Sequence, residues 1–367
     1  MSGFAELIGA PLDAIDTPAL LVDLDIMERN LQSIVGVCRA AGVNWRPHCK
    51  VHKSPDMARL EMAAGAIGIT CAKVSEAEML VDAGISDILI ANQVVGPIKI
   101  ARLMRLQARA DVAVAVDGPD NVAALAAAAV KAGVVLRVFI EVDTGTARAG
   151  VLPGAPVLDL ARVITTYPSL RLTGVMTWEG HTTRIADPEE KRHAITAAVG
   201  SLVASADLCR AQGIPVDIVS CGGTGTYATS AFVPGVTEIQ AGGILFGDVH
   251  YHDLYHVPLE YALTVLATVT SRPTPTRIIT DAGKKAMSTD AGTPVPLDVP
   301  QVAQVGFSAE HGKIELAAPS ATPRVGDRLR YVVGYADTTV HLHSEIYAIR
   351  DGRIAHVWPI PAGARLR

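Results

Sequence analysis

Three basic side chains occupy alternate positions in the segment Arg46-Pro47-His48-Cys49-Lys50. Side chains alternate across a strand, so a strand over residues 44–50 would place Arg46, His48 and Lys50 on one face. Burial and neighbouring cations both favour the neutral amine of a lysine, which is the nucleophile needed for imine chemistry. The spacing therefore indicates a reactive amine at Lys50. The alternative, a solvated strand edge that carries charges, stays open at this point.

Two glycine-rich segments are candidates for an anion site. The first is Gly222-Gly223-Thr224-Gly225, and the second is Gly242-Gly243. Backbone N–H groups of such loops and a threonine hydroxyl can bind a phosphate. In β/α barrels, the loops after strands seven and eight form a common phosphate site. One such loop is usually only a turn, but two of them together with Lys50 predict a cofactor that has an anionic tail.

The elements that must position these residues follow a β/α alternation. Eight short apolar segments predict strands, and apolar runs of this kind suit parallel strands that helices cover on both faces. An open doubly wound sheet or a closed barrel fits this pattern, and the count of eight favours a (β/α)8 TIM-like barrel. Ser75 and Glu78 have the spacing of a capping box, which predicts a helix start at residue 75. The predicted strands are 43–50, 66–72, 87–92, 111–116, 136–142, 172–178, 216–221 and 237–241, and the predicted helices are 24–41, 75–83, 98–110, 120–132, 157–167 and 188–212.

From about residue 259 onward, the pattern changes to short strands that are separated by Gly, Pro and Asp turns. This texture predicts an all-β C-terminal domain, which the strand 18–23 can join. We therefore expect a barrel domain over 24–255 and a β domain over 1–23 and 256–367. The predicted β-domain strands are 263–271, 277–281, 301–307, 312–316, 327–333, 340–349 and 354–359.

The composition excludes several classes of partner. The net charge is −5 and there is no Lys/Arg-rich run, so nucleic acid and anionic membranes are not expected to bind. Residues 1–12 lack the features of a secretory signal. The five cysteines are odd in number and have no metal-like spacing, which predicts reduced thiols and a cytoplasmic location.

Several segments, in the right order, resemble the D-threonine aldolase and D-serine dehydratase family. These are fold-type III pyridoxal-phosphate (PLP) enzymes that have an alanine racemase-like barrel and a C-terminal β domain. The resemblance covers nearly the whole chain. The matching segments are Pro47-His48-Cys49-Lys50-Val51-His52-Lys53, Cys71-Ala72-Lys73-Val74-Ser75-Glu76-Ala77-Glu78, Glu141-Val142-Asp143-Thr144-Gly145, Gly222-Gly223-Thr224-Gly225 and Glu310-His311-Gly312.

This resemblance implies PLP as the cofactor and Lys50 as the lysine that carries it. It also implies that the two glycine-rich loops bind the PLP phosphate. The cofactor-binding residues that follow from it are Lys50, His48, Arg148, Trp178, Thr224, Gly225, Gly242 and Gly243.

The resemblance fails at a metal site. Family members carry His-x-Asp or His-x-Cys near the C-terminus, where a divalent metal binds beside the PLP. Here Asp337 is kept, but Tyr335 stands in the place of the histidine. A neutral phenol is a poor ligand for Mg²⁺, Mn²⁺ or Zn²⁺. We therefore expect a weak metal site at Asp337 or none, with His341 and His343 as an alternative site on one face of the predicted strand.

A second departure affects proton transfer. Where the family has a histidine after the sixth strand, this chain has Glu179, and His181 follows it. Without a metal, Glu179 or His181 would have to act as the acid/base group. The alternative is that both are merely polar loop residues. The histidines His250, His252 and His256 are interpreted as a surface loop, with a role at the site entrance as the alternative.

The resemblance implies a PLP-dependent lyase and a homodimer. The favoured reaction is retro-aldol cleavage of a small D-3-hydroxy amino acid to glycine and an aldehyde. The first alternative is β-elimination by a D-serine or D-3-hydroxyaspartate dehydratase. A metal-independent racemase or epimerase fits the lost metal ligand best, and a non-catalytic PLP-binding protein is a further alternative. A metal-only hydrolase barrel would need His/Asp clusters at several strand ends, which this sequence lacks.

Overall fold

The computed structural model describes residues 5–363, which form two compact units. The first, the barrel unit, contains residues 32–50 and 57–242. The second, the β unit, contains residues 5–31, 51–56 and 243–363. The domain boundaries at 23/24 and 255/256 remain a prediction.

Strands and helices alternate up to residue 239, and strands dominate thereafter. The strands are β1 Ala19–Asp23, β2 Asn44–Trp45, β3 Ile69–Cys71, β4 Asp87–Gln93, β5 Asp111–Val116, β6 Leu136–Glu141, β7 Leu170–Met176, β8 Ile218–Cys221, β9 Glu238–Ile239, β10 Leu263–Thr274, β11 Arg277–Thr280, β12 Val295–Pro296, β13 Val302–Phe307, β14 Gly312–Leu316, β15 Arg328–Val332, β16 Glu345–Arg350 and β17 Arg353–Pro359. The helices are α1 Leu24–Ala41, α2 Pro55–Ala63, α3 Val74–Asp82, α4 Pro97–Gln107, α5 Pro119–Ala132, α6 Ala155–Thr165, α7 Pro188–Ala211, α8 Tyr227–Ser230 and α9 Ala336–Thr339.

The barrel unit contains a parallel sheet in the order β2-β9-β8-β7-β6-β5-β4-β3. The segment that follows β2 also bonds to the β3 end of this path. The N–H of Ile67 donates to the carbonyl of Trp45 at 2.9 Å, and the N–H of Thr70 donates to that of Pro47 at 2.8 Å. These bonds close the sheet on itself, which confirms the predicted eight-stranded barrel.

Local sequence explains where the barrel helices begin and end. Helix α5, for example, has Pro119 in its first turn and ends at Gly133, whose φ of 68° suits the left-handed C-cap. All six predicted helices are present with small shifts at their ends. Three helices, α2, α8 and α9, were not predicted.

The cap of α3 differs from the predicted one. The carboxylate of Glu76 accepts the N–H groups of Ala72 at 2.7 Å and Lys73 at 3.2 Å. The predicted capping box of Ser75 and Glu78 is therefore wrong, and Glu78 instead pairs with Arg102 at 2.6 Å.

The β unit contains a nine-stranded sheet with the main order β13-β14-β11-β10-β1-β16-β17, in which β15 pairs with β10 and β12. β1 pairs antiparallel with β10 and parallel with β16, so the prediction that this strand joins the β domain is confirmed. The predicted strand 340–349 is partly wrong. Residues 340–342 form a 3-10 turn after α9, and β16 begins only at Glu345.

Helix α7 is the one described helix whose length and composition would allow it to cross a membrane. Its first turn carries Glu189 and Glu190, and Asp187 caps it through the N–H of Glu190 at 2.8 Å. One face of α7 is buried and contacts α6 and β7. These contacts are those of an amphipathic helix that covers a sheet.

Candidate active site

Lys50 lies on a turn and not on a strand. β2 ends at Trp45, His48 forms a single bridge with Thr70, and a 3-10 turn, Cys49–Val51, carries Lys50. The predicted strand to residue 50 is therefore wrong, and Lys50 is exposed. The N–H of Lys50 donates to Nδ1 of His48 at 3.3 Å. This turn follows the carboxyl end of a barrel strand, which is where catalytic groups of such barrels usually lie.

Arg46 does not share a face with Lys50, contrary to the prediction. Its side chain is 3% exposed and pairs with Glu238 at 2.9 Å and with Asp87 at 3.0 Å. Glu238 and Asp87 are the first residues of β9 and β4. Arg46 therefore closes the amino-terminal end of the barrel, while Lys50 follows the carboxyl end of β2.

The glycine-rich loop after β8 is tied to Glu179. The Glu179 side chain has no solvent exposure. Its Oε1 accepts the hydroxyls of Thr226 and Ser230, each at 2.6 Å, and its Oε2 accepts the N–H of Gly222 at 3.4 Å. Gly222 has a φ of 77°, which glycine adopts without strain. The carboxylate of Glu179 thus connects the end of β7 to both sides of this loop.

The indole of Trp178 lies on the same loop. A Cβ atom on Gly223 would lie 2.2 Å from the Trp178 ring, and a Cβ atom on Gly180 would lie 2.3 Å from its Nε1. Only glycine allows the ring this close at either position. The Trp178 ring therefore packs directly on the loop backbone and limits its position on that side.

Thr224 and Gly225 have the properties of an anion site. Both residues are buried, and Thr224 is 4% exposed. Among the described residues, neither backbone N–H group has a hydrogen-bond acceptor. Buried N–H groups are nearly always paired, so two donors at the tip of a glycine-rich loop fit a bound phosphate.

The second loop touches the segment that carries Lys50. A Cβ atom on Gly242 would lie 2.2 Å from the carbonyl oxygen of His48 and 2.7 Å from its nitrogen. Glycine at this position lets the two backbones meet. In the β unit, the next residue, Gly243, is covered in the same way by Tyr251, whose hydroxyl would lie 2.6 Å from a Cβ there.

His181 lies beside the loop that follows β6. Its ring is exposed and covers Gly145, where a Cβ would lie 2.8 Å from Nε2. Nδ1 lies 3.5 Å from the hydroxyl of Thr146. Asp143 holds this loop by accepting the N–H of Gly145 at 3.0 Å, and this bond in particular lowers the pKa of the Asp143 carboxyl.

Two polar residues at strand ends were not predicted. Glu141 ends β6 and is buried, and it accepts Nε2 of Gln93, the last residue of β4, at 2.6 Å. Arg148 lies 3.5 Å from the other oxygen of Glu141, with its side chain 58% exposed. Polar groups at the carboxyl ends of barrel strands are the signal that could have identified this pair.

The β unit contains a buried aromatic cluster after Gly243. His250 is 3% exposed, so its interpretation as a surface loop residue is wrong, whereas His252 and His256 are exposed as predicted. Residues His250–Leu254 form a π-helical turn in which the N–H of Tyr255 donates to the carbonyl of His250 at 3.1 Å. Turns of this kind are frequent at functional sites.

Tyr335 and Asp337 belong to this cluster. The Tyr251 hydroxyl donates to Oδ2 of Asp337 at 3.2 Å, and the Tyr335 ring is tilted 4.5 Å from that of His250. Burial raises the pKa of both tyrosines, so their hydroxyls stay protonated. Burial also raises the pKa of the Asp248 carboxyl to about 8.

The predicted metal site has a donor set that suits a metal poorly. Within residues 5–363, no three His, Cys, Asp or Glu side chains are grouped so that they could hold an ion. His343 does not offer an alternative, because its Nε2 lies 2.8 Å from the carbonyl of Ala286. His341 lies in the helical turn and not on a strand face.

The five cysteines form no disulfide among the described residues, and all five are buried. Burial raises the pKa of Cys38 to about 11, and it raises those of Cys71 and Cys221 well above the usual range. Thiols of this kind are poor nucleophiles, so Cys38, Cys71 and Cys221 are not candidates for the nucleophile of the site.

Comparison with known proteins identifies both parts of the chain. Residues 22–250 match the model of the alanine racemase N-terminal domain, and residues 262–349 match that of a putative serine dehydratase domain.

The chain is similar to curated aldolases over nearly its whole length. It is 38% identical to a D-threonine aldolase of Arthrobacter sp. over 96% of this chain and 94% of that protein. It is 36% identical to a 3-hydroxy-D-aspartate aldolase of Paracoccus denitrificans over 97% and 94%.

The fold agrees with this similarity. The crystal structure of D-threonine aldolase from Filomicrobium marinum superposes with a TM-score of 0.94 at 35% identity and covers 98% of this chain and 99% of that one. The chain therefore belongs to the alanine racemase-like family of PLP enzymes that includes these aldolases, and it is a PLP-dependent lyase.

Proposed function

We propose that this enzyme cleaves a small D-3-hydroxy amino acid to glycine and an aldehyde. The observation that carries the proposal is the similarity to two aldolases, each of which covers more than nine tenths of the chain. The residues expected to hold the cofactor fit that role. They include an exposed lysine on a strand-end turn and a glycine-rich loop with two unpaired, buried N–H donors among the described residues.

In this proposal Lys50 supplies the amine that binds the aldehyde of PLP. Thr224 and Gly225 donate to the phosphate, and the Gly242-Gly243 segment forms the second side of that site. When it is bound, PLP supplies an electron sink for negative charge at Cα of the substrate. Arg148, with Glu141 3.5 Å away, is assigned to the cofactor or substrate carboxylate.

The two residues predicted for acid/base chemistry, His181 and Glu179, are assigned different roles. His181 is exposed on the loop after β7, so it is the group that we assign to proton transfer with the substrate hydroxyl. Glu179 has no solvent exposure, and its carboxylate accepts three hydrogen bonds. We therefore assign Glu179 as a positioning residue that holds the phosphate loop.

Glu179→Gln is expected to weaken PLP binding. The substitution replaces charge-assisted hydrogen bonds, worth ~1.5–3 kcal/mol, by neutral ones. The dissociation constant of PLP should rise ~10- to 100-fold while kcat at saturating PLP stays near that of the parent. Titration of the apoenzyme with PLP, followed by visible absorbance, measures this change.

The control for Glu179→Gln is Glu189→Gln, which changes a glutamate that is 72% exposed on α7 and should not alter PLP affinity. Unchanged PLP affinity with a large loss of kcat would instead make Glu179 the acid/base group.

An activity panel tests the reaction itself. The PLP-loaded enzyme is given D-threonine, D-serine, D-3-hydroxyaspartate and D-alanine, and the products are identified by chromatography. Glycine and an aldehyde support the proposal. Ammonia and a keto acid would establish the dehydratase, which the C-terminal match to a putative serine dehydratase domain keeps as the second candidate. Loss of optical rotation alone would establish a racemase, and no turnover would leave a PLP-binding protein.

We also propose that the enzyme is a cytoplasmic homodimer with a barrel domain over 24–255 and a β domain over 1–23 and 256–367. Light scattering of the eluted protein would give the mass of one or two chains. A mass of one chain would refute the dimer.

A further inference from the structure

Tyr251, Tyr335 and Asp337 form a cluster in the β unit. The Tyr251 hydroxyl donates to Oδ2 of Asp337 at 3.2 Å. The rings of Tyr251 and Tyr335 meet edge to face with centroids 5.7 Å apart. Tyr251 therefore contacts both of the other members of the cluster.

The backbone around this cluster is fixed by Asp248, which is fully buried. One carboxylate oxygen accepts the N–H of Tyr251 at 2.7 Å, and the other accepts that of Ala336 at 2.7 Å. Ala336 lies between Tyr335 and Asp337 in the chain. One side chain thus fixes the backbone at Tyr251 and between Tyr335 and Asp337.

The cluster packs against Gly243, a residue that we assign to the cofactor-binding site. The Tyr251 hydroxyl comes within 2.6 Å of the position that a Cβ on Gly243 would occupy. A larger residue at Gly243 would displace this hydroxyl. Gly243 belongs to the second proposed phosphate loop, so the cluster adjoins that loop within the β unit.

The donor set does not fit the divalent metal that the family carries at this position. A protonated phenol replaces the imidazole at Tyr335, and such a phenol binds Mg²⁺ or Mn²⁺ poorly. The hydroxyl of the neighbouring Tyr251 donates to the carboxylate that remains. His343 contacts the carbonyl of Ala286 instead, and the described part of the chain has no other group of three ligands.

We propose that the Tyr251–Tyr335–Asp337 cluster replaces this metal and that the lyase needs no divalent cation. In this inference, which rests on the proposed function only for its kinetic test, Tyr335 is a positioning residue. It orients Tyr251 and, through it, Asp337. The hydroxyl oxygen of Tyr251 lies beside Gly243, and its proton is donated to Asp337.

Manganese binding tests the proposal independently of activity. PLP-loaded wild-type enzyme, Tyr335→Phe and Tyr335→His are each titrated with Mn²⁺, and free Mn²⁺ is measured by its paramagnetic resonance signal. Wild type and Tyr335→Phe should leave the signal undiminished. Tyr335→His restores an imidazole two residues before Asp337 and should bind one Mn²⁺ per chain. Stoichiometric binding by the wild type that is lost in Asp337→Asn would overturn the proposal.

Kinetics test the positioning role. Turnover by the wild type should be unchanged after treatment with a chelator and removal of the chelate. Tyr335→Phe removes a buried hydroxyl from the ring that packs on Tyr251, a loss on the order of one neutral hydrogen bond, so kcat should fall about 3- to 10-fold with visible PLP absorbance and KM unchanged. Loss of wild-type turnover on chelation, with recovery on adding Mn²⁺, would refute metal independence. An unchanged kcat in Tyr335→Phe would refute the role of Tyr335. Absence of any aldol turnover would refute the proposed function but leave the Mn²⁺ result standing.

Discussion

Lys50→Ala is expected to abolish the visible absorbance of lysine-bound PLP and to lower kcat by more than about 10³-fold. The reason is that the variant lacks the amine that binds the cofactor aldehyde covalently. Absorbance spectra of the purified protein and initial rates with D-threonine measure the two effects.

Lys53→Ala is the matched control for this experiment. Lys53 lies three residues after Lys50 and is half-buried. Its backbone φ is 50°, and an alanine at this position would have to adopt the same backbone conformation. We expect this variant to keep the visible absorbance. If Lys53→Ala lost the absorbance and Lys50→Ala kept it, the assignment of the cofactor lysine would be wrong.

Arg46→Met is expected to destabilise the fold by about 3–5 kcal/mol. The variant leaves the Glu238 carboxylate, 1% exposed, without the guanidinium that lies 2.9 Å away. Breaking a buried ion pair at one partner is costly, because an uncompensated buried charge remains. Urea unfolding followed by circular dichroism should show this loss as a lower midpoint.

Two further variants test whether the loss of stability comes from the unpaired carboxylate of Glu238. Arg46→Met/Glu238→Gln removes both charges, while the amide can still accept the Ser220 hydroxyl that now bonds Glu238 at 2.7 Å, so it should recover much of the loss. Arg192→Met breaks only an exposed pair on α7 and should cost at most about 1 kcal/mol. A loss of less than about 1 kcal/mol in Arg46→Met would contradict a structural role for this pair.

The same network predicts a pH effect. Burial alone would raise the pKa of the Asp87 carboxyl. Arg46 and Arg137 together lower this pKa by more than burial raises it, so the net shift is downward. A carboxyl with a lowered folded-state pKa stabilises the fold above its unfolded pKa, which is about 3.9. This stabilisation is lost as the pH falls through the lower folded-state value. In Arg46→Met, the unfolding free energy should therefore depend less on pH in this acidic range.

The barrel could be predicted from the sequence because its signals are local. Apolar runs, helix-start prolines and C-cap glycines each lie within one element, as Pro119 and Gly133 do in α5. The strand over 43–50 was wrong for a local reason as well. Pro47 lacks an N–H for the ladder, and the chain turns directly after the bridge at His48.

The candidate site was less predictable because its contacts are long-range. Glu179 meets Thr226 and Ser230, 47 and 51 residues later in the chain, so no spacing reveals that they satisfy its carboxylate. Arg46 meets Glu238 across 192 residues. Alternation along one strand suggested three basic neighbours, whereas tertiary pairing turned one of them toward the other end of the barrel.

Closure of the barrel also bears on how these chains can associate. The backbone of the β2 segment bonds to β3 on one side and to β9 on the other, so the described barrel sheet has no edge strand. Edge strands, with their unpaired N–H and C=O groups, are the usual templates for adding a strand from a second chain. In the part of the chain that the structure describes, such edges occur at β12, β13 and β17 of the β unit. Association through backbone hydrogen bonding is therefore confined to the half of the protein that does not carry Lys50.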